Sequence, residues 1–336
     1  MTMHNIIIKF MAKQQGCVAT LKDIYEYVEK NWENKYNTLP ESCRAVLYRH
    51  KDEFKRVVKG VYMYTGEHSN SLLLEGDGRK LEEIEDNSID CIITDHPWSD
   101  KKAHKAGNQK DFVNYETFRY TKEDFAAKYR VMKDGAYLAE FVPIESATNW
   151  EYLSELKQMA KEAGFQYYAS CIWRKAPEGT INTGRTTKGV EQILIFSKGK
   201  PRRLAPQGKP YMTNGNLAYE IDIPIKASEK HHQAEKPIEL YEYLIEKLTN
   251  EKDVCLDQFG GACNLLKAAI NKNRFAVVYE FCHEFIEKAV DRFKLNKLYD
   301  EAEQYSTCKA EQHSTYRAEQ YSACVSSNFE QISLFA

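Results

Sequence analysis

The sequence predicts an α/β fold whose centre is a doubly wound, mostly parallel sheet, with a small helical domain before it and a flexible tail after it. From Ser71 onward, apolar runs of strand length alternate with amphipathic helical segments, which is the pattern of a parallel sheet covered by helices. The chain up to residue 67 lacks this alternation, and the chain after 299 repeats a polar eight-residue unit that cannot build a core. We therefore expect three domains, at 1–67, 68–298 and 299–336.

The composition is that of a soluble globular protein, with 43% hydrophobic and 29% charged residues in a chain of 336. No apolar run approaches the roughly 20 residues that span a bilayer, and the first residues do not resemble a signal peptide. The nine cysteines are scattered without a C-x-x-C pair, which favours a reducing cytoplasm and argues against a structural zinc site. A formal net charge of −2 neither indicates nor excludes a nucleic-acid partner.

The first 67 residues predict helices followed by a β-hairpin. "ATLKDIYEYVEK" places its apolar residues on one helical face, "ESCRAVLYRHKDEF" predicts a helix with Ser42 as its N-cap, and "FKRVVKGVYMYTG" predicts a hairpin that turns at Gly60. This order resembles a winged helix, a module that accompanies some restriction-modification proteins. Its third helix would read a DNA groove through Arg44 and Arg49. A packing or dimerisation module is the alternative.

Strands and helices of the central domain can be placed from their boundaries. "SLLLEGD" and "SIDCIITD" predict buried strands, and "TKEDFAAKYRVMKDG" predicts a helix that begins with a capping box and ends at Gly135. A second helix ends at Gly164, and a third has Pro237 at its first helical position. The strands "DVCLDQFGG" and "RFAVVYEF" then flank a further helix.

Two strand ends carry residues that suit ligand binding, because ligands of open α/β sheets bind beyond the carboxyl ends of the strands. The first is "LDQFGGACN", where Asp257 ends a strand and Gly260 and Gly261 would let the backbone approach a ligand closely. One strand later, Glu280 is placed to accept hydrogen bonds from ribose hydroxyls. An ordinary structural turn is the alternative for the glycines.

The second strand end is "TDHPWSD", with Asp95, His96, Pro97 and Trp98. An exocyclic amine on a base is a weak nucleophile, because its lone pair is delocalised into the ring. A carboxylate and a carbonyl that accept its two hydrogens would free this lone pair, while an aromatic ring stacks on the flipped base. Asp95, the His96 carbonyl and Trp98 would supply these roles, with Pro97 stiffening the turn. A surface turn with a packed tryptophan is the alternative.

These motifs together resemble the amino-group DNA methyltransferases that modify adenine N6 or cytosine N4, in the permuted order with the catalytic motif first. Residues 95–98 resemble the family's Asp-Pro-Pro-Tyr/Trp motif, "HQAEKP" resembles its His-Pro-Thr-Glu-Lys-Pro stretch, and "LDQFGGACN" resembles its Asp-Pro-Phe-x-Gly-Ser-Gly-Thr loop. The resemblance runs from about Ser71 to Phe293. It implies a Rossmann-like methyltransferase fold and S-adenosylmethionine as cofactor.

The resemblance also assigns roles to residues of the cofactor site. Phe259 would pack near the adenine, Gly260 and Gly261 would pass the methionine part, and Glu280 would hold the ribose. Asp77 would contact the adenine or act only as a solvated turn acid. The predicted cofactor residues are therefore Asp77, Lys236, Pro237, Asp257, Phe259, Gly260, Gly261 and Glu280.

The sequence departs from the family pattern at several motif positions. His96 and Gln258 replace prolines, Cys263 replaces the second glycine of the loop, and Asn264 replaces a threonine. A side chain at Cys263 would either crowd the cofactor or repack around it. These departures motivate an alternative hypothesis, in which the chain is an inactive scaffold that still binds DNA.

Specificity depends on two further features. Asp is commoner than Ser at the first motif position in the family's adenine enzymes, so Asp95 favours adenine N6, with cytosine N4 as the alternative. The family's order places target recognition at about 174–228, where a basic stretch offers Lys175, Arg185 and Lys188 for DNA contacts. A solvated lysine-rich face explains this stretch equally well. A homodimer is an open prediction.

The last residues, Gln331 to Phe335, resemble the pentapeptide with which bacterial proteins bind the sliding clamp. Gln331 would hydrogen-bond the rim of an apolar pocket that Leu334 and Phe335 fill, and the polar repeats would act as a tether. A C-terminal strand or a chance match is the alternative.

Overall fold

The computed structural model describes residues 2–14, 17–32, 39–66, 71–97, 117–175, 189–204, 217–225, 235–293 and 332–335. In these parts of the chain the strands form two sheets, one with three strands and one with nine. None of their helices combines the length and the apolar character that crossing a bilayer requires.

The N-terminal region contains three helices and a small antiparallel sheet in the order β1-β3-β2. The hairpin turns at Gly60, as predicted, with a φ of +75°. The third helix begins at Leu39, four residues before the start at Cys43 that Ser42 as N-cap would give. Pro40 is tolerated in its first turn because it lacks only an N–H that has no helical partner there. The elements are α1 (Met3–Met11), β1 (Val18–Thr20), α2 (Leu21–Asn31), α3 (Leu39–Arg49), β2 (Phe54–Val58) and β3 (Val61–Tyr64).

The large sheet has the order β12-β4-β11-β10-β5-β6-β8-β7-β9. Its neighbours from β4 to β6 are parallel, whereas β8 runs antiparallel to both β6 and β7. Its strands are β4 (Ser71–Glu75), β5 (Ile89–Thr94), β6 (Met132–Val142), β7 (Phe165–Arg174), β8 (Val190–Lys198), β9 (Glu220–Asp222), β10 (Val254–Asp257), β11 (Phe275–Glu280) and β12 (Ile332–Phe335). Its helices are α4 (Lys122–Val131), α5 (Trp150–Glu162), α6 (Ile238–Leu248), α7 (Asn264–Asn271) and α8 (His283–Phe293).

Helices cover both faces of this sheet, which confirms the predicted doubly wound α/β fold. Consecutive residues of β4 belong to different apolar clusters. Leu72 belongs to the cluster that contains residues of α4 and α5, and Leu73 belongs to the cluster that contains residues of α6, α7 and α8. A strand buried on both faces needs the continuous apolar run that the sequence shows here. The parallel neighbours β5 and β10 therefore end at the same edge of the sheet.

Gly135 does not end a helix, contrary to the prediction from the sequence. The helix α4 ends at Val131, and Met132 already has the extended backbone of β6. Gly135 lies inside this strand with a φ of +78°, and a Cβ there would lie 3.0 Å from Arg202. A glycine is therefore favoured here by the left-handed backbone within the strand and by the close approach of Arg202, and not by the end of a helix. Gly164 follows α5 as predicted, with a φ of +103°.

The N-terminal sheet packs against the central domain. Val58 forms an isolated antiparallel bridge with Ile84, and the backbone N–H of Lys59 donates to the carbonyl of Glu83 at 2.8 Å. Apolar residues of β2 and β3 share a buried cluster with Leu72 and other residues of the large sheet. The two regions therefore share part of one core across the predicted boundary at residue 67.

The C-terminal segment Ile332–Phe335 forms β12, an edge strand antiparallel to β4. Ile332 pairs with Leu74, and Phe335 pairs with Ser71. The repeats of the predicted tether lie outside the described residues. A C-terminal strand was the alternative interpretation of this segment from the sequence, and the structure shows such a strand.

Candidate active site

The two predicted loops meet at the carboxyl edge of the sheet. Thr94, at the end of β5, donates a hydrogen bond from its hydroxyl to Oδ1 of Asp257 at 3.0 Å. The same hydroxyl oxygen accepts from the backbone N–H of Gln258 at 3.3 Å. Because β5 and β10 are parallel neighbours, the sheet itself holds the two loops side by side.

The Asp95 carboxylate belongs to a partly buried chain of charges. Its Oδ2 forms an ion pair with Lys236, whose ammonium also lies 3.3 Å from the Glu191 carboxylate. Glu191 is paired in turn with Lys175 at 2.5 Å. Burial raises the pKa of the Asp95 carboxyl against the attraction of Lys236. Burial alone would lower the pKa of Lys236, but Asp95 and Glu191 outweigh burial and raise it.

His96 is held by hydrogen bonds of its side chain, and Pro97 is held by a hydrogen bond to its backbone carbonyl. The imidazole of His96 is buried, with Nδ1 3.2 Å from Glu140 and Nε2 2.5 Å from the hydroxyl of Tyr152. The carbonyl of Pro97 accepts from the backbone N–H of Phe118 at 3.1 Å. The loop after β5 is thus fixed at both residues that follow Asp95.

Asp257 joins the loops rather than facing the space above them. Besides the contact with Thr94, its carboxylate accepts from the backbone N–H of Phe259 at 3.1 Å and from the hydroxyl of Tyr241 at 3.3 Å. The residue is fully buried, and burial raises the pKa of its carboxyl to about 7. Asp257, a predicted cofactor residue, therefore shapes the loop through these hydrogen bonds.

The glycines of the loop at 257–264, here called the cofactor loop after its predicted role, have the geometry of a close-approach turn. Gly261 has a φ of +52°, and a Cβ on Gly260 would lie 2.4 Å from Cγ1 of Val278. Cys263 also has a left-handed backbone, with a φ of +55° and a ψ of +31°. Its side chain is buried in the apolar cluster beneath the loop, so it repacks and does not occupy the surface that a ligand would approach.

Glu280 ends β11 and holds the turn of the cofactor loop. Its carboxylate accepts from the backbone N–H of Gly261 at 2.6 Å and from that of Cys282 at 2.8 Å. Burial raises the pKa of this carboxyl to about 7. The next residue, Phe281, is an exposed ring with 79% of its surface accessible, which the sequence interpretation missed. An aromatic residue directly after the acid was the available signal.

Aromatic rings line the side of the loop on which Phe259 lies. Phe259 packs with its ring centroid 5.4 Å from that of Phe118 and 6.4 Å from that of Tyr120. Asp77 is exposed and accepts a bidentate hydrogen bond from Arg79, with contacts of 2.9 and 2.5 Å. The Arg79 guanidinium lies 4.8 Å from the ring centroid of Phe118. Asp77 and Phe259 are therefore part of one surface, although Asp77 already has an internal partner.

Asn264 ties the segment before α6 to the start of α7. Its side-chain amide donates to Glu235 at 2.8 Å and to the carbonyl of Lys236 at 2.7 Å. Arg292 donates to the same Glu235 carboxylate at 2.7 Å. Pro237 lies at the N-cap, one position before the predicted one. Asn264, which stands where the family pattern has a threonine, thus holds Lys236 by a hydrogen bond to the backbone carbonyl of Lys236.

The predicted DNA-contacting residues differ in their surroundings. Arg44 and Arg49 are exposed on α3 beside the exposed ring of Tyr48, and Arg44 contacts the Tyr25 hydroxyl at 2.7 Å. Lys175 instead belongs to the ion chain of Asp95, because it follows β7 next to β8. The predicted site residues Trp98, Arg185, Lys188 and Gln331 lie outside the described residues.

Four polar residues around the site were not found from the sequence: Glu140, Lys128, Tyr152 and Glu191. Glu140 and Lys128 are fully buried and form an ion pair at 2.6 Å. An acid in the middle of the apolar run "AYLAEFV" was the one local signal, because a buried carboxylate needs a partner.

Known proteins resemble the chain in sequence and in fold. The model of the DNA methylase family N6_N4_Mtase matches residues 89–291. The type II methyltransferase M.HpaI of Haemophilus parainfluenzae is 26% identical over 230 residues, which cover 64% of this chain and 71% of that protein. The orphan methyltransferase M.BamHII of Bacillus amyloliquefaciens is 26% identical over 253 residues, which cover 63% of this chain and 91% of that protein.

Among solved structures, the cytosine-N4-specific PvuII DNA methyltransferase has a TM-score of 0.49 at 18% identity, covering 74% of this chain and 93% of that one. The complex of M1.HpyAVI with S-adenosylmethionine has a TM-score of 0.47 at 20% identity, covering 66% and 99%. The family match spans more than half of the chain and contains both loops of the site. The chain therefore belongs to the N6/N4 DNA methylase family, whose members use S-adenosylmethionine.

Proposed function

We propose that this protein transfers a methyl group to the N6 amino group of an adenine that it extrudes from duplex DNA, as a site-specific methyltransferase. The observation that carries the proposal is the position of Asp95. Its carboxylate is partly buried and ion-paired, and it follows Thr94, which is hydrogen-bonded to Asp257 of the cofactor loop. An acceptor for an amine therefore lies beside the loop that would bind the methyl donor.

The cofactor loop fits S-adenosylmethionine because it offers close backbone approach, an acid and aromatic rings together. Gly260 and Gly261 form the turn, Glu280 braces it, and Phe259 and Phe281 supply apolar surface. When bound, the cofactor supplies an electrophilic methyl group on a sulfonium.

Asp95 and the carbonyl of His96 would accept the two hydrogens of the target amine and free its lone pair for attack. Burial raises the pKa of the Asp95 carboxyl, which makes it a stronger acceptor for the proton that the methylated nitrogen releases. Trp98 would stack on the extruded base. Lys236 holds the carboxylate in place until the amine arrives.

Adenine is favoured over cytosine because residue 95 is an aspartate rather than a serine. The departures at His96 and Cys263 lose much of their weight as signs of an inactive scaffold, because both side chains are accommodated. His96 has two hydrogen-bond partners, and the Cys263 side chain packs into the apolar cluster.

The product of the reaction tests this proposal. Purified protein would be incubated with duplex DNA and S-adenosylmethionine, and the DNA digested to nucleosides for mass spectrometry. We expect N6-methyladenine from the wild type and from D291A, which changes an exposed aspartate of α8. D95A should form none. Detection of N4-methylcytosine instead would show that the target base is cytosine and not adenine. Absence of any methylated nucleoside with the wild type would favour the inactive scaffold.

We further propose that α3 binds DNA through Arg44 and Arg49. Both side chains are exposed on α3, where they would contact phosphates or base edges. In binding assays across salt concentrations, R44A/R49A should lower the slope of log affinity against log salt by about 2, since each phosphate contact contributes about 0.9. The matched variant K9A/K30A removes equal charge from α1 and α2. An equal slope change in both variants would contradict a role specific to α3.

The C-terminal segment is also proposed to bind a sliding clamp through Gln331, Leu334 and Phe335. Its pairing with β4 means that clamp binding requires this strand to leave the sheet. Deletion of 331–336 should abolish clamp pull-down while methylation of short duplexes persists. Pull-down of the truncated protein would contradict the proposal.

A further inference from the structure

His96 stands where the resembling motif has a second proline, and its side chain points into the protein. Only 1% of its surface is accessible. Its ring centroid lies 4.1 Å from that of Tyr120 and 5.9 Å from that of Phe118. The imidazole is therefore confined by packed rings, and its two nitrogens meet Glu140 and Tyr152.

The donors and acceptors around Glu140 can be assigned from chemistry alone. Its carboxylate accepts from Lys128 at 2.6 Å and from the hydroxyl of Tyr120 at 2.7 Å. A carboxylate paired with an ammonium only accepts, so the third contact is a hydrogen bond that Nδ1 of His96 donates. In a neutral imidazole, Nε2 of His96 then accepts from the hydroxyl of Tyr152. With a different partner at each nitrogen, the ring is held in one orientation.

This network connects the loop of Asp95, His96 and Pro97, here called the catalytic loop, to three other elements of the fold. Glu140 lies on β6, Lys128 on α4 and Tyr152 on α5, so the anchor joins the loop to the sheet and to two helices. On the other side of Asp95, Thr94 is bound to Asp257. The backbone that carries the Asp95 carboxylate is thus held by a hydrogen bond on each side.

We propose that the His96 side chain is the positioning residue of the catalytic loop. Hydrogen bonds to Glu140 and Tyr152 replace the stiffness that a proline would give, and they aim the Asp95 carboxylate and the His96 carbonyl at the target amine. The proposal rests on the methyl transfer proposed above. If His96 only filled space in the core, loss of its hydrogen bonds would leave kcat of the folded protein unchanged.

The test measures kcat for DNA methylation and the Kd for S-adenosylmethionine in a set of variants. H96A should lower kcat roughly 100-fold, the effect of about 1 Å of misplacement, while the Kd changes less than about twofold because the cofactor loop keeps its contacts. H96N keeps a donor at the position of Nδ1, and it should recover part of this loss. H96P should not recover it, because it restores stiffness without the anchor.

Y152F keeps the ring and removes only the hydroxyl that donates to His96, so it remains informative if H96A fails to fold. We expect kcat to fall roughly tenfold, in line with one lost hydrogen bond. Y129F, which changes a half-buried tyrosine of α4 away from the loop, should match the wild type. Wild-type kcat in folded H96A or Y152F would overturn the proposal, as would a parallel loss of cofactor binding. An inactive wild type would instead refute the proposed function.

Discussion

The two loops at the carboxyl edge of the sheet depart from their family pattern in opposite ways. The catalytic loop has His96 in place of a stiff proline, and the structure holds it with hydrogen bonds to Glu140 and Tyr152. The cofactor loop has Cys263 in place of a permissive glycine, and its backbone keeps the left-handed φ of +55° that glycine would favour. The catalytic loop lacks a rigid proline and is held by side-chain hydrogen bonds of His96. The cofactor loop instead has Cys263 in a backbone conformation that is strained for a residue with a side chain.

The two loops therefore accommodate their unusual residues by different means. The replacement of a proline is compensated by contacts with distant segments. The replacement of a glycine is tolerated locally, at a strain of about 1–2 kcal/mol for an L-residue in this conformation. We therefore expect the catalytic loop to be sensitive to remote substitutions and the cofactor loop to be sensitive mainly at its own positions.

The largest effect is expected from removing the carboxylate beneath the catalytic loop. Glu140→Leu leaves the Lys128 ammonium fully buried without its partner, and the free energy of unfolding should fall by about 3–5 kcal/mol. Urea unfolding measures this change. The double variant K128M/E140L removes both charges and should recover much of the loss. If the double variant is no more stable than E140L, the ion pair does not explain the effect.

A smaller effect is expected from the bond that joins the two loops. Thr94→Val keeps the shape of the side chain but removes the hydroxyl that donates to the buried Asp257, so the free energy of unfolding should fall by about 1–3 kcal/mol. Thr94→Ser keeps the hydroxyl and should stay closer to the wild type. Equal stability of T94V and wild type would mean that the sheet alone holds the loops together.

The cofactor loop should also respond to pH through Glu280. Burial raises the pKa of this carboxyl to about 7, so it is partly protonated in the free protein near neutral pH. Hydroxyl donors of a bound ribose would favour the ionised form, and this preference makes binding stronger as pH rises from 6 to 8. The expected gain is at most about tenfold per pH unit below the pKa.

Calorimetry of S-adenosylmethionine binding at several pH values measures this effect, with Glu280→Gln as the reference. The ligand's own groups titrate in both proteins, so the ratio of the two affinities isolates Glu280. A ratio that is constant between pH 6 and 8 would mean that the Glu280 carboxyl does not contact the cofactor.

The smallest effect concerns strain at Cys263. Both C263G and C263A remove the thiol, but only glycine adopts the left-handed backbone freely, so C263G should be the more stable by about 0.5–1 kcal/mol. Thermal or urea unfolding resolves this difference. Ala268→Gly, inside the same helix α7, should change stability in the opposite direction. A C263A variant that equals or exceeds C263G would show that the loop carries no strain at this residue.

The fold and much of the site were predictable from local patterns. Strand runs such as "SIDCIITD" and the order of the motifs placed Asp95, Asp257 and Glu280 correctly at the ends of β5, β10 and β11. Errors arose where a local signal had a different cause. Gly135 resembled a helix end because it follows an amphipathic segment, yet it lies inside a strand that approaches Arg202.

The sequence by itself determined the doubly wound sheet, the family and the positions of the two loops, because each of these is encoded in periodicity or in short motifs. Only the tertiary structure decided which buried and partly buried polar groups meet: Lys236 with Asp95, and His96 with Glu140 and Tyr152. These partners lie between 44 and 141 residues apart along the chain. Contacts at such separations depend on strand order and helix packing, and they leave no local pattern from which they could be predicted.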